Sequence, residues 1–187
     1  DHEYLFLQLF GQYRFSEGSL LRVTASGYSR RYSDRPSYDL DGQQRRGNPD
    51  IRYDYVSLGL RARQRIVGSF WIGVNVTRTE RVDQYRGYND FTRDSYAFEA
   101  SWTPGERFGV TLEGRYHLYD YPNAFAFHNP AVARKTQESA DFFVGAHYRI
   151  SDHFDVIAEA RYVETVSNDI RLQYERNQYL IGLRWQR

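Results

Sequence analysis

Charged residues in this 187-residue chain recur two positions apart in short runs: Arg61-Ala62-Arg63, Glu113-Gly114-Arg115 and Glu159-Ala160-Arg161. On an extended backbone, residues two apart share a face, so each run lays fixed charge along one side of a strand. Arg22, Glu99, Asp141, Arg149 and Arg184 continue the pattern elsewhere in the chain. The chemistry open to such lines is electrostatic. Guanidinium and carboxylate groups can pair with each other or attract solute of the opposite sign. For Glu113, Arg115, Asp141, Glu159 and Arg161 mutual pairing is the favoured expectation. Arg61 and Arg63 face no carboxylate on the strand that follows and are the better candidates for contact with solute.

Other constellations give less. His117 and His147 could share one interior on neighbouring strands, but the sequence offers neither a Ser-His-acid order nor a third metal ligand beside them. Asp39-Leu40-Asp41-Gly42 has half the form of a calcium loop and lacks the remaining ligand spacing. No Gly-rich phosphate loop and no basic run is present, and a net charge of +1 gives no argument for nucleic acid. The expectation is therefore a protein without catalytic residues, metal or cofactor. Ala124-Phe125-Ala126-Phe127 is an unusually apolar insert in a segment expected to be a wet loop; it could constrict an interior, meet a partner or pack on a rim.

The elements that would position the charges are strands. Ala140, Phe142, Val144, Ala146 and Tyr148 alternate with Asp141, Phe143, Gly145, His147 and Arg149. After a turn at Ile150 to His153, Phe154, Val156, Ala158, Ala160 and Tyr162 alternate with Asp155, Ile157, Glu159, Arg161 and Val163. One face of this hairpin is apolar and the other carries too much charge for a soluble core, so the apolar face is expected to meet lipid. From Phe154 to Tyr162 the chain rises on the order of 20 Å when tilted by about 40°, close to the apolar band of an outer-membrane barrel.

The same grammar runs through the chain. Strands are predicted at about 3–15, 20–32 and 51–66, then from Phe70 to about 78. A short strand at 96–102, one at 108–118, the two strands of the hairpin at 140–163 and a last strand ending near Trp185 complete nine. Short turns alternate with long polar segments at about 33–50, 79–93, 120–138 and 166–174. Outward aromatics gather at the short-turn ends (Phe15, Phe70, Trp102, Phe108, Tyr148, Phe154 and Trp185) and at the opposite ends (Tyr96, Tyr116, Tyr162 and Tyr179), as two girdles would. Aromatic residues make up 17% of the chain, with 17 Tyr, which is far above an ordinary soluble protein. A mean hydropathy of −0.74 does not speak against membrane insertion by strands, since a barrel strand averages an apolar face with a polar one.

The expected fold is an all-β, transmembrane, antiparallel up-and-down β-barrel over residues 1–187, one domain, with nine strands readable. An even count is usual, so either a tenth strand is missing from the reading or these are the C-terminal strands of a larger barrel. The setting is the outer membrane of a Gram-negative bacterium. The partners are the lipid bilayer and, for an export role, other outer-membrane or periplasmic components. The polar face then lines a passive or export conduit for anionic solutes or polysaccharide; the alternative is a narrow, filled barrel serving as a scaffold.

Ala146 to Ser151, Ala158 to Tyr162, Ser167-Asn168-Asp169 and the run from Tyr174 to Trp185 resemble the outer-membrane β-barrel porin group of the beta-barrel porin 2 type, some of whose members accompany exopolysaccharide export. The likeness is strongest in the C-terminal quarter. It implies a pore or scaffold linked to polymer export and carries over no catalytic residue. The chain departs from the pattern in ending Trp185-Gln186-Arg187 rather than on an aromatic residue.

Overall fold

The computed structural model describes residues 2–127 and 133–185. Nine strands, β1 (His2–Ser16), β2 (Ser19–Pro36), β3 (Asp50–Val67), β4 (Phe70–Asp83), β5 (Phe91–Trp102), β6 (Phe108–Phe125), β7 (Arg134–Ser151), β8 (Phe154–Ser167) and β9 (Tyr174–Trp185), form one antiparallel sheet in sequence order. Each strand pairs with the next, an up-and-down meander that is all-β apart from one 3-10 turn at Ile170–Leu172.

The register carries the alternation across the whole sheet. Tyr13 stands beside Leu21, Leu21 beside Ala62, Ala62 beside Val74, Val74 beside Phe98, and on through Gly114 and Phe142 to Tyr162. That face is apolar and exposed, with Leu58, Val74, Phe98 and Val144 all open to the outside. The same pairing lines Arg22, Arg61, Asn75, Ala97, Arg115 and Asp141 along the opposite, inner face. The turns joining β1 to β2, β3 to β4, β5 to β6 and β7 to β8 are short. Gly68 and Gly105 take positive φ in two of them, +52° and +98°, where a side chain would strain the backbone.

Several strands outrun the sequence reading. β4 continues to Asp83 and β5 begins at Phe91, where a loop from 79 to 93 was expected; β6 reaches Phe125 and β7 begins at Arg134. The reason is visible in the outward residues of these extensions: Arg78, Glu80, Asp94 and Glu138 lie beyond the apolar band, where alternation of apolar with polar is no longer required. Residues 128–132 of the expected long loop, and Gln186-Arg187, lie outside the described residues.

The sheet has little conventional core. Buried side chains collect at the long-loop end of the inner face, where Phe91, Tyr121 and Ala124 pack with Tyr55, Tyr88 and Tyr119. Ala124 and Ala126 are buried while Phe127 is exposed with Arg171 over its ring at 4.3 Å, so the apolar insert packs on the rim. β1 pairs only with β2 and β9 only with β8, so both edges of the described sheet are open.

Candidate functional site

The inner face divides into two halves with different electrostatics. In the half nearer the short turns, most of the expected charges are paired. Arg161 donates to Asp141 through both Nε (2.8 Å) and Nη2 (2.5 Å), Arg115 contacts Glu113 at 2.9 Å, and Asp155 lies between Arg149 (3.6 Å) and Arg184 (2.8 Å). Glu159 faces inward with no hydrogen bond or ion pair among the described residues. An open cleft of about 380 Å³ is lined by Arg22, Arg61, Asn75, Glu99, Glu113 and Arg115.

Arg61 and Arg63 are a correction to the sequence reading. Both contact Glu99, Arg61 at 2.7 Å and Arg63 at 3.5 Å, although Glu99 is two strands away on β5. The intervening residue on β4 is Gly73, opposite both Arg63 and Glu99 in the register. A Cβ there would lie 2.6 Å from Glu99 Oε1, so the carboxylate crosses the bare backbone of β4 to reach β3. Arg22 is held differently: it donates to Gln12 Oε1 and lies over Phe10. Arg63 and Arg65 both lie 4.7 Å from the ring centre of Trp71.

The half nearer the long loops holds residues the sequence reading did not assign to the site. Arg30, Arg81, Arg93 and Lys135 face inward from β2, β4, β5 and β7, and no carboxylate among the described residues lies within ion-pair distance of them. Each lies over aromatic rings: Arg30 over Tyr32 (4.6 Å), Arg81 over Tyr53 (4.6 Å) and Phe91 (4.3 Å), Arg93 over Tyr119 (5.8 Å), and Lys135 over Tyr121 (3.8 Å). The Nε of Arg30 and of Arg93 are buried without a hydrogen-bond partner. Lys135 stands outside the apolar band; burial, reinforced by the charge of Arg81, brings its ammonium down to about 8.

His117 and His147 do not meet. His117 stands beside Ser139 in the register and His147 beside Gly109, eight positions along β6. His117 Nδ1 lies 2.9 Å from Ser95 Oγ, a nucleophile-base contact in type, but no carboxylate among the described residues is hydrogen-bonded to the imidazole, and Asp141 accepts from Arg161 through both oxygens. In the loop at 37–49, Asp39 and Asp41 are both engaged by Arg45, with Arg86 a further 3.4 Å contact to Asp39. Their oxygens close the loop on itself rather than converging on a cation.

Of the expected girdle residues, Trp102 and Phe108 make an edge contact at 6.3 Å, Phe108 stands beside Tyr148, and Phe154 beside Trp185. Tyr96 stands beside Tyr116. Phe15, Tyr96, Trp102, Tyr116, Tyr148, Phe154, Tyr179 and Trp185 are exposed on the outer face, and Phe70, Phe108 and Tyr162 are half-buried there.

This arrangement has counterparts among solved structures. OmpT of Vibrio cholerae, expressed in the outer membrane, matches with a TM-score of 0.66 at 13% identity, over 98% of this chain and 56% of its own. The trimer form of the in-vitro folded OmpT, described as an outer-membrane protein, matches with a TM-score of 0.61 at 15% identity, over 97% and 56%. The fold is that of an outer-membrane β-barrel protein. The chain spans little more than half the length of these neighbours. No protein-family model matches it, and no curated protein sequence does.

Proposed function

We propose that this chain forms part of the wall of a bacterial outer-membrane β-barrel that passes anionic solutes without a catalytic step or a cofactor. The observation that carries the reading is the surplus of unpaired positive charge on the inner face. Arg14, Arg22 and Arg65 toward the short turns, and Arg30, Arg81, Arg93 and Lys135 toward the long loops, have no carboxylate in ion-pair reach among the described residues. A wall of fixed positive charge lowers the barrier for anions and raises it for cations.

The outer face supports the membrane half of the proposal. Exposed Leu, Val and Phe across nine strands would be a severe liability in water, whereas lipid accepts them, and the two aromatic rows suit the two membrane interfaces. Open edges cannot stay open in hydrocarbon, because each unpaired N–H and C=O there costs several kcal/mol. We read β1 and β9 as pairing with further strands. Nine strands in 56% of a neighbour's length scale to about sixteen in the whole, an even number in the range that leaves an aqueous channel.

A second reading, a narrow scaffold whose loops dock other outer-membrane or periplasmic export components, draws on the pairs Arg161–Asp141 and Arg184–Asp155, which would fill a small lumen. Planar-bilayer recording of the membrane-extracted protein separates the two. Steady conductance with anion preference, reduced by Arg22→Gln and Arg65→Gln together, is expected. Silence from a folded, heat-modifiable sample would favour the scaffold.

A further inference from the structure

Next to the cleft that holds Glu99 lies a second one, of about 300 Å³, at the short-turn end of the inner face. Its lining takes one guanidinium from β1, one from β2 and two from β3: Arg14, Arg22, Arg61 and Arg63. The register brings them together. Arg22 stands directly beside Arg61, while Arg14 and Arg63 stand on either side of Leu20, two positions nearer the turn. Like charges set opposite each other on one face of a sheet are destabilising, and the sheet offsets only part of this. Glu99 contacts Arg61 and Arg63, and Glu17 in the β1–β2 turn is the one carboxylate on the lining itself, with no ion pair among the described residues. Four guanidiniums against these two carboxylates leave a surplus of two positive charges.

The donors are held in place without being used up. Arg22 gives Nε and Nη2 to Gln12 at 3.1 and 2.6 Å, and its Nη1 has no hydrogen bond among the described residues. Arg63 lies over Trp71 with its Nε 3.5 Å from Glu99, and neither of its Nη groups is hydrogen-bonded. Arg14 is exposed and has no hydrogen bond or ion pair among the described residues. The side chains of Arg61 and Arg63 are each 40% exposed, so solvent reaches them.

We propose that this cleft binds a tetrahedral dianion, the phosphate group of inorganic phosphate or of a small phosphomonoester. The proposal deepens the conduit reading and rests on the inner face being open to water. Charge and geometry choose the ligand class. The surplus of two positive charges matches a dianion. A carboxylate offers two oxygens in one plane, which a single forked guanidinium can satisfy, whereas donors arriving from three strands call for acceptors pointing in several directions, as the oxygens of a phosphate do. The field of the whole inner face favours every anion by charge alone. The cleft adds discrimination by shape.

The test titrates membrane-extracted protein in detergent calorimetrically with inorganic phosphate, glycerol 3-phosphate, sulfate, malonate and acetate, all against a chloride background. Phosphate and sulfate are expected to bind alike and at least about tenfold more tightly than acetate. Malonate, with the same charge on two planar groups, should bind about fivefold more weakly than phosphate. Glycerol 3-phosphate binding as phosphate does extends the ligand to phosphomonoesters; its failure confines the site to the inorganic ion. Arg14→Gln and Arg63→Gln should each weaken phosphate about tenfold. Arg30→Gln removes the same charge from the long-loop half and should leave phosphate affinity within about twofold. Acetate or malonate binding as tightly as phosphate, or an equal loss in Arg30→Gln, would overturn the site. Should a variant fail to fold, the anion series on the unaltered protein decides. The same sample in a planar bilayer keeps the two proposals apart. Anion-selective conductance without phosphate binding removes the site and leaves the conduit. Phosphate binding by a silent protein removes the conduit and leaves the site.

Discussion

Gly73 shows how one missing side chain sets the charge balance of a neighbouring strand. Because the backbone of β4 is bare there, Glu99 neutralises Arg61 and Arg63 from two strands away. Gly73→Ala would push Glu99 aside, since its Cβ would lie 2.6 to 3.0 Å from Oε1, Cγ and Cδ of that side chain and meet no backbone among its nearest contacts, and the fold should survive. Both Gly73→Ala and Glu99→Gln are expected to raise the anion-to-cation permeability ratio, by about twofold for Glu99→Gln, as read from reversal potentials under a salt gradient. The stability cost of losing these partly exposed pairs should stay within about 1 kcal/mol. Lys135 supplies a pH-dependent part of the same field. Its ammonium, brought down to about 8 by burial, is charged below that pH and neutral above it. Anion preference should therefore fall as pH rises through about 8, and Lys135→Gln should abolish that step while leaving the field of the arginines.

The strands separate lipid from lumen by a single residue of register. Val74 and Asn75 are neighbours on β4, Val74 outward in the apolar band and Asn75 inward beside the cleft. Val74→Arg is expected to cost about 2–4 kcal/mol of folding free energy in a bilayer, and Asn75→Arg less than about 1 kcal/mol. Equal costs in urea titrations of the vesicle-inserted protein would contradict the assignment of faces. The loop joining β2 to β3 is held by charge. Burial pushes the Asp39 carboxyl up, but hydrogen bonds from Asn48 and Arg45 and the charges of Arg45 and Arg86 outweigh it and hold it below the usual range. The hydrogen bond from Arg45 does the same for Asp41. A depressed carboxyl contributes stability that is present above its unfolded value of about 4 and is lost as pH falls through the folded value. The amides of Gly42 and Asn48, bonded to Asp39 and Arg45 carbonyls, should lose exchange protection below about pH 4, and at neutral pH in Arg45→Gln.

At the scale of the molecule, the open edges of β1 and β9 set the expectation. On the proposed reading further strands pair with those edges, and the whole is a barrel of about sixteen strands. The membrane-extracted protein should then conduct, and its conductance should scale with bulk electrolyte as an aqueous pore does. A barrel of about ten strands would be filled by side chains and pass no steady current.

Strand identity, which residues share a face of the sheet and the alternation of short turns with long loops were legible in the sequence. Period-two alternation is a local property enforced wherever one face meets lipid and the other water. Beyond the apolar band that constraint lapses, so the outer parts of β4 and β5, with Arg81, Phe91 and Arg93, read as loop and the aromatic cluster around Phe91 went unseen. Arg30 lay within a predicted strand, but its relation to Tyr4 and Tyr53 depends on pairing. Partnership between strands was decided only in the tertiary structure. Register fixes it over distances no local pattern spans, which is why Arg61 and Arg63 looked free in sequence and find Glu99 across Gly73 in the folded sheet.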